Sequence, residues 1–259
     1  MPIKSKNTSN RITRYFRISR IVTHTLVGVI IASLVFPIAS KSLKNKLIKW
    51  WCRRLLAIFN LRITSHGHIP HPTMSGAMVV ANHISWVDIH ALNSIVPLRF
   101  IAKSEISKWP VFGYLAKKSN VLFIDRDKRQ LATRIVTMTS KSLLEGDNLC
   151  IFPEGTTTDG TNILPFKSSI IQAAIQANAS IHPVAIRYPS LDGSNNISMA
   201  YAGETTMIES IQQILLQKNP AVELHFLTPI ITAGRSENAK GRRELTLSIQ
   251  ASIRQKLDF

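Results

Sequence analysis

From residue 61 onward, short apolar runs alternate with longer stretches whose apolar residues recur every three or four positions. The runs predict strands at Leu61–Thr64, Ala77–Ala81, Arg99–Ala102, Val121–Ile124, Leu149–Phe152, Ile181–Arg187, Ile197–Tyr201 and Val222–Leu227. The periodic stretches predict helices at Asp88–Ser94, Lys108–Lys118, Lys128–Leu144, Ser168–Asn178, Thr206–Gln217 and Arg243–Leu257. Strand and helix alternate, which predicts an α/β domain with a mostly parallel, mixed sheet covered by helices. Pro189–Asn196 reads as a turn-rich break.

Before residue 61 the pattern is different. Ile21–Ile38 runs eighteen residues without a formal charge. As a straight helix it would reach about 27 Å, just short of a ~30 Å hydrocarbon core. Leu43, Leu47, Trp51, Leu55 and Ile58 then fall at helical spacing, with Lys49, Trp50, Arg53 and Arg54 around them. A basic, Trp-bearing amphipathic helix suits a lipid interface. The chain therefore divides into residues 1–60, a basic membrane-associated helix pair, and residues 61–259, the α/β domain.

Charge sharpens that division. The 259 residues carry a net charge of +17, and the first acidic residue is Asp88. Residues 1–87 hold 13 of the 32 Lys and Arg and no acid, so the polyanion partner belongs to the N-terminus. Three readings of that segment compete. A cleaved signal peptide is opposed by the lysines directly after the apolar run, which resist translocation. A simple span is opposed by basic residues on both flanks, which give no orientation. A re-entrant or monotopic pair lying on the cytoplasmic leaflet is the favoured one. A core hairpin with a solvated basic face leaves the absence of acids unexplained. The basic residues bracket apolar segments instead of interleaving with exposed aromatics, so nucleic acid is not the expected partner.

Composition excludes other classes. At 45% hydrophobic residues the chain is not disordered. Cys52 and Cys150 are too few for a disulfide framework or a Cys-rich zinc site, and suit a reducing compartment. His66, His68 and His71 lie around Gly67 and Pro70 with no nearby carboxylate, which suits a surface turn better than a metal. No metal and no cofactor is expected.

Four polar clusters stand where strands end. In Asn82-His83-Ile84-Ser85-Trp86-Val87-Asp88, a histidine and a carboxylate can form a base and its orienter. Five residues on an ideal helix leave them about 140° apart, so they meet only if the chain bends. On spacing alone a helix N-terminus capped by Asp88, with His83 a loop histidine, is the stronger reading. Phe123-Ile124-Asp125-Arg126 offers a guanidinium able to clamp a phosphate, or a surface ion pair. Phe152-Pro153-Glu154-Gly155-Thr156-Thr157-Thr158-Asp159-Gly160 offers a carboxylate, a glycine that allows close approach, and hydroxyls, or a capped turn. His182-Pro183-Val184-Ala185 puts a proline in a strand, where an edge or strand start is expected. Ser85 beside His83 could suggest a hydrolase, but no G-x-S-x-G elbow is present.

Taken together, NHISWVD, FIDR, FPEGT and HPVAI occur in one order, with RFIAKSEISKWPVFG between the first two. With these blocks the chain resembles the glycerolipid acyltransferase superfamily, in particular its bacterial 1-acylglycerol-3-phosphate acyltransferases, over about residues 45–230. The resemblance implies transfer of a fatty acyl group from acyl carrier protein (acyl-ACP) or acyl-CoA to the sn-2 hydroxyl of 1-acylglycerol-3-phosphate, giving phosphatidic acid. It implies His83 as general base, Asp88 as its orienter, and direct attack on the thioester with no acyl-enzyme. Arg126 would bind the acceptor phosphate, with Lys103 adding to the anion site. Asn82, Glu154, Gly155 and Thr156 would shape the acceptor site, and Pro183 lies in the block associated with the acyl donor. A lysophospholipid acceptor places the enzyme at an anionic membrane surface, and thioester donors place it on the cytoplasmic face of a bacterial inner membrane.

One position departs from the family's E-G-T-R: here Thr157 stands in place of the arginine. That removes one cation from the expected phosphate site and leaves another lysolipid, such as lyso-ornithine lipid, open as acceptor. A non-catalytic membrane-binding module is the rival of a different class.

Overall fold

The computed structural model describes residues 8–71, 73–124, 131–235 and 238–258. Seven strands make one sheet: β1 (Arg62–Gly67), β2 (Met78–Ala81), β3 (Arg99–Lys103), β4 (Leu122–Ile124), β5 (Leu149–Ile151), β6 (Ile181–Arg187) and β7 (Ala221–Phe226). Their spatial order is β1-β7-β6-β2-β5-β3-β4. Every pairing is parallel except β6 with β7. The helices are α1 (Arg11–Ile30), α2 (Lys41–Ile58), α3 (Val87–Ile95), α4 (Phe112–Lys118), α5 (Leu131–Leu144), α6 (Ile171–Gln176), α7 (Met207–Leu216) and α8 (Ala239–Lys256).

β2 lies at the centre, between β6 and β5, and all four of its residues are fully buried. Side chains alternate across a strand, so Val79 and Ala81 enter one core while Met78 and Val80 enter the other. The first core is closed by Leu55, Leu56 and Phe59 of α2 or its end, Leu92 of α3, and Ile214 and Leu215 of α7. The second is closed by Leu143 of α5, Ala173 and Ala174 of α6, and Leu245, Ile249 and Ile253 of α8. Both faces being covered explains why AMVVA reads as an unbroken apolar run.

The N-terminal pair packs on the first face. Asn10 caps α1 by accepting from Thr13 N–H, and Ser40 caps α2 by accepting from Leu43 N–H. After Ile30 the helix loosens into a π-turn, Ile31–Val35, ahead of Pro37. Arg11–Val35 is long and apolar enough to cross a membrane by length and composition. One side of it nevertheless faces protein. Arg17, His24, Gly28 and Ala32 are buried, and the Arg17 guanidinium donates to Gln217 O and Lys218 O beyond α7. The other side, Ile18, Val22, Leu26, Ile30 and Leu34, is exposed at four-residue spacing.

Three expectations change in detail. Ile197–Tyr201 is not a strand: Met199 N–H bonds Asn196 O and Ala200 N–H bonds Ile197 O, so Ile197–Met199 forms a short 3-10 turn. Its apolar alternation does not mark one buried face, since Met199 is buried and Ile197 exposed. The helix expected from Lys108 begins at Phe112, because Pro110 holds Trp109 extended at ψ 132°. Pro183 lies within interior strand β6, paired beside Val80, and is tolerated because pairing to β7 begins only at Val184.

Candidate active site

β2, β5 and β6 end side by side, and the loops leaving them converge. Asn82 closes the end of β2 onto β6: its Nδ2 donates to Ile186 O at 2.9 Å and its Oδ1 accepts Ile186 N–H at 2.7 Å. The next five residues turn sharply into α3. That bend overcomes the 140° offset and brings His83 Nδ1 within 2.8 Å of Asp88 Oδ2. The same carboxylate oxygen accepts Ile84 N–H at 2.8 Å and Ser85 N–H at 2.9 Å. The other oxygen accepts Tyr188 Oη–H at 2.5 Å, from just beyond β6. Asp88 does not cap α3, whose N-cap is Trp86; from the helix's first turn it holds the two loop amides and the histidine together, and it is fully buried.

Three contacts fix His83 further. Its N–H donates to Glu154 Oε1 at 2.7 Å, its carbonyl accepts Thr158 N–H at 2.9 Å, and its ring stacks on Phe152 with centroids 3.8 Å apart. With Nδ1–H directed to Asp88, Nε2 is left as the acceptor. Among the described residues, no hydrogen-bond partner meets Nε2, and His83 lines a cavity of about 1070 Å³.

That cavity is apolar over most of its length. Its walls come from α1, α2, α3 and α4, with Trp51, Leu55 and Phe59 along one side. Phe152, Pro153, Gly155, Thr156 and Thr157 bring the FPEGT loop to it beside His83. The described cations lining it are Lys103 and Lys167. An oxygen nucleophile entering here meets the His83 ring, while an attached chain meets hydrocarbon.

Glu154 does not line the cavity. Its two oxygens accept His83 N–H and Leu164 N–H, so it ties the FPEGT loop to the His83 loop. Burial pushes its carboxyl up to about 7, opposed by those two amides and reinforced by the charge of Asp88. Asn82, Asp88 and Pro183 do not line the cavity either, whereas His83, Lys103, Gly155 and Thr156 do. Asp125 and Arg126 lie outside the described residues. Thr157, which stands at the expected arginine, donates its hydroxyl to Tyr201 O.

Three other nucleophiles are buried, although Cys52 is among the residues lining the cavity. Ser85 is fully buried and does not line the cavity. Burial pushes the Cys52 thiol up to about 12 and the Cys150 thiol well above its usual range. His66 stacks on His225, His68 approaches Thr228 and His71 bonds Thr73, so the three histidines face different partners.

Sequence reasoning missed Tyr188, Phe152 and Lys167. Tyr188 directly follows the HPVAIR strand, but only the β2–β6 pairing places it on Asp88. Phe152 was legible only as the first residue of the FPEGT block, without its stacking on His83, and Lys167 had no signal beyond the FK pair after the loop.

The sequence matches the Acyltransferase family over residues 62–187. It is 34% identical to a lyso-ornithine lipid O-acyltransferase of Pseudomonas aeruginosa, over 82% of this chain and 78% of that one. It is 35% identical to a 1-acyl-sn-glycerol-3-phosphate acyltransferase of Neisseria gonorrhoeae, over 71% and 69% respectively. Its fold matches the crystal structure of the 1-acyl-sn-glycerophosphate (LPA) acyltransferase PlsC from Thermotoga maritima. That match has a TM-score of 0.64 at 21% identity and covers 93% of this chain and 96% of that chain.

Proposed function

The chain belongs to the acyltransferase family, an enzyme of the lysophosphatidic acid and lyso-ornithine lipid type, and from that premise we propose that His83 and Asp88 carry acyl transfer from acyl-ACP or acyl-CoA to the sn-2 hydroxyl of 1-acylglycerol-3-phosphate. The observation that carries this reading is the His83–Asp88 contact of 2.8 Å at the wall of an apolar cavity. Nε2 takes the proton of the acceptor hydroxyl as its oxygen attacks the thioester carbonyl. Asp88 holds the ring and stabilises the imidazolium that forms. The tetrahedral intermediate collapses, the thiol of the carrier leaves, and His83 returns the proton to it. No covalent acyl-enzyme forms, in keeping with the buried Ser85 and the two buried thiols.

The fatty chain lies in the cavity, whose volume is at the upper end of the ~300–1,000 Å³ usual for ligand pockets. Lys103 and Lys167 attract the anionic head, and Arg126 adds the phosphate contact that the family motif implies. Asn82 and Glu154 act by holding the loops that carry His83, Gly155 and Thr156. The exposed stripe of α1 and the cations of residues 1–60 seat the enzyme on the cytoplasmic leaflet of a bacterial inner membrane, as a monotopic element. Arg17 favours this over a span, because its hydrogen bonds to the domain hold α1 alongside it.

A second acceptor has a specific observation in its favour. Thr157 bonds a backbone carbonyl where the family's E-G-T-R would put a cation, so the phosphate site is weaker by one guanidinium. A lyso-ornithine lipid, with its smaller anionic carboxylate, fits that loss. The test is a panel of lysophosphatidic acid, lysophosphatidylethanolamine and lyso-ornithine lipid, each offered with a labelled acyl thioester. The phosphate reading expects lysophosphatidic acid to be preferred and Arg126→Ala to cripple its use. Preference for the phosphate-free lipid would overturn the acceptor assignment and leave the His83 chemistry standing.

A further inference from the structure

The turn into α4 carries an apolar patch that neither core uses. Val111, Phe112 and Tyr114 are 44%, 46% and 36% exposed. Val111 sits at φ +62° and ψ −59°, the centre of a γ-turn closed by Phe112 N–H to Pro110 O, a strained conformation that a β-branched residue rarely adopts. The turn has little freedom to relax. A Cβ at Gly113 would come within 2.5 Å of Ser107 O and 2.7 Å of Ile106 O. In water a strained and exposed valine stabilises nothing, and glycine would hold that backbone with less strain.

The surroundings say what the patch meets. Lys108, Lys117 and Lys118 flank it in the chain, and the Lys118 ammonium lies 5.6 Å from the Tyr114 ring centre. Tyr114 Oη is 2.7 Å from Ser33 Oγ in the π-turn that continues α1. Ser33 is next to Leu34, 69% exposed, and three residues past Ile30, 55% exposed. The patch is thus continuous with the outward stripe of α1. Phe112 and Leu115 line the cavity from the α4 side, and Ile31 and Phe36 line it from the α1 side.

We propose that the Val111–Tyr114 turn is a second lipid-inserting element, which together with α1 seats the cavity on an anionic bilayer. The proposal rests on the reading of α1 as lipid-facing and adds a separate contact to it. Aromatic and aliphatic side chains ringed by lysines match an anionic membrane interface. An acidic protein surface would match the lysines but not the apolar tip.

The test uses the full chain with Val111→Cys and an environment-sensitive fluorophore on the new thiol. The natural Cys52 and Cys150 are buried, so labelling is selective. The control carries the same label at Leu247→Cys, on α8 across the sheet, where Leu247 is 54% exposed. Vesicles of phosphatidylethanolamine and phosphatidylglycerol are added, and sedimentation of the same sample reports bulk binding. The expected result is co-sedimentation, with a blue shift and quenching by brominated lipid at position 111 and neither at 247. Co-sedimentation with an unshifted label at 111 overturns the wedge and leaves α1 as the anchor. Failure to co-sediment overturns both. A label unmoved by vesicles but shifted by an acidic acyl carrier protein assigns the patch to that partner instead. In a second arm, Val111→Gly relieves the strained γ-turn and should leave the melting temperature unchanged or higher. Its affinity for the same vesicles should fall about tenfold, and unchanged affinity overturns the proposal.

Discussion

Asp88 is a fully buried carboxylate, and four donors make its burial tolerable: His83 Nδ1–H, two backbone amides and the Tyr188 hydroxyl. The amides come with the turn, so Tyr188 is the one side chain besides His83 that fixes which way the carboxylate faces. A hydrogen bond to a charged group is worth roughly 1.5–3 kcal/mol. Tyr188→Phe should therefore lower kcat by roughly 10–100-fold while KM for both substrates changes little, because the hydroxyl touches neither. Steady-state kinetics on the folded variant check this, and a rise confined to KM would contradict it. Glu154 predicts a pH effect of known sign. Its folded value of about 7 lies above its unfolded one of about 4.5, so between them the folded chain holds a proton that the unfolded chain has released. Its contribution is fully present below pH ~4.5 and is lost as pH rises through about 7. Glu154→Gln cannot titrate, so melting temperature measured from pH 4.5 to 8 should fall less steeply with rising pH than in the parent. An unchanged slope would show that the carboxylate is not the titrating group.

Among the elements, α1 and α2 meet at one close approach. A Cβ at Gly28 would fall 2.6 Å from Trp51 Nε1, whose N–H also donates to His24 O at 3.3 Å. Two effects of Gly28→Ala oppose each other. Helix propensity gains about 0.8–1.0 kcal/mol, while overpacking against a fixed ring costs about 1–3 kcal/mol. The clash wins, so the variant should melt a few degrees lower, and Trp51→Phe in the same chain should recover part of the loss. A thermal scan of both variants decides it; a higher melting point for Gly28→Ala alone would mean the helices simply part. This contact was not legible in the sequence, where Gly28 is one small residue in an apolar run. The strands that build the site were legible, because β2, β5 and β6 are buried on both faces and read as short apolar runs bounded by polar loops. The same periodicity misread Ile197–Tyr201, where Ile197 is apolar but exposed, so the alternation with Met199 marks no buried strand face. The His83–Asp88 pairing needed the bend at Ser85–Trp86, which spacing alone argued against. The family blocks supplied what periodicity could not.

At the scale of the whole molecule, the sheet brings the ends of β2 and β6 together, and the N-terminal helices roof the resulting site with hydrocarbon. Charge asymmetry in the first 87 residues, the exposed stripe of α1 and the apolar cavity all suit an enzyme that takes a lipid from a membrane and presents its hydroxyl to an imidazole. The chemistry we propose turns on Nε2 of His83 acting as the base. The direct measurement is the rate of acyl transfer from a labelled thioester to a lysolipid by the parent, His83→Ala and Ser85→Ala, with circular dichroism confirming that each is folded. A positioned base supplies roughly 10²–10⁴-fold. A loss of that size is expected for His83→Ala, and only a mild effect for Ser85→Ala. Transfer within a few-fold of the parent in His83→Ala, or an equal collapse in Ser85→Ala with a trapped acyl-enzyme in the parent, would contradict the role given to His83.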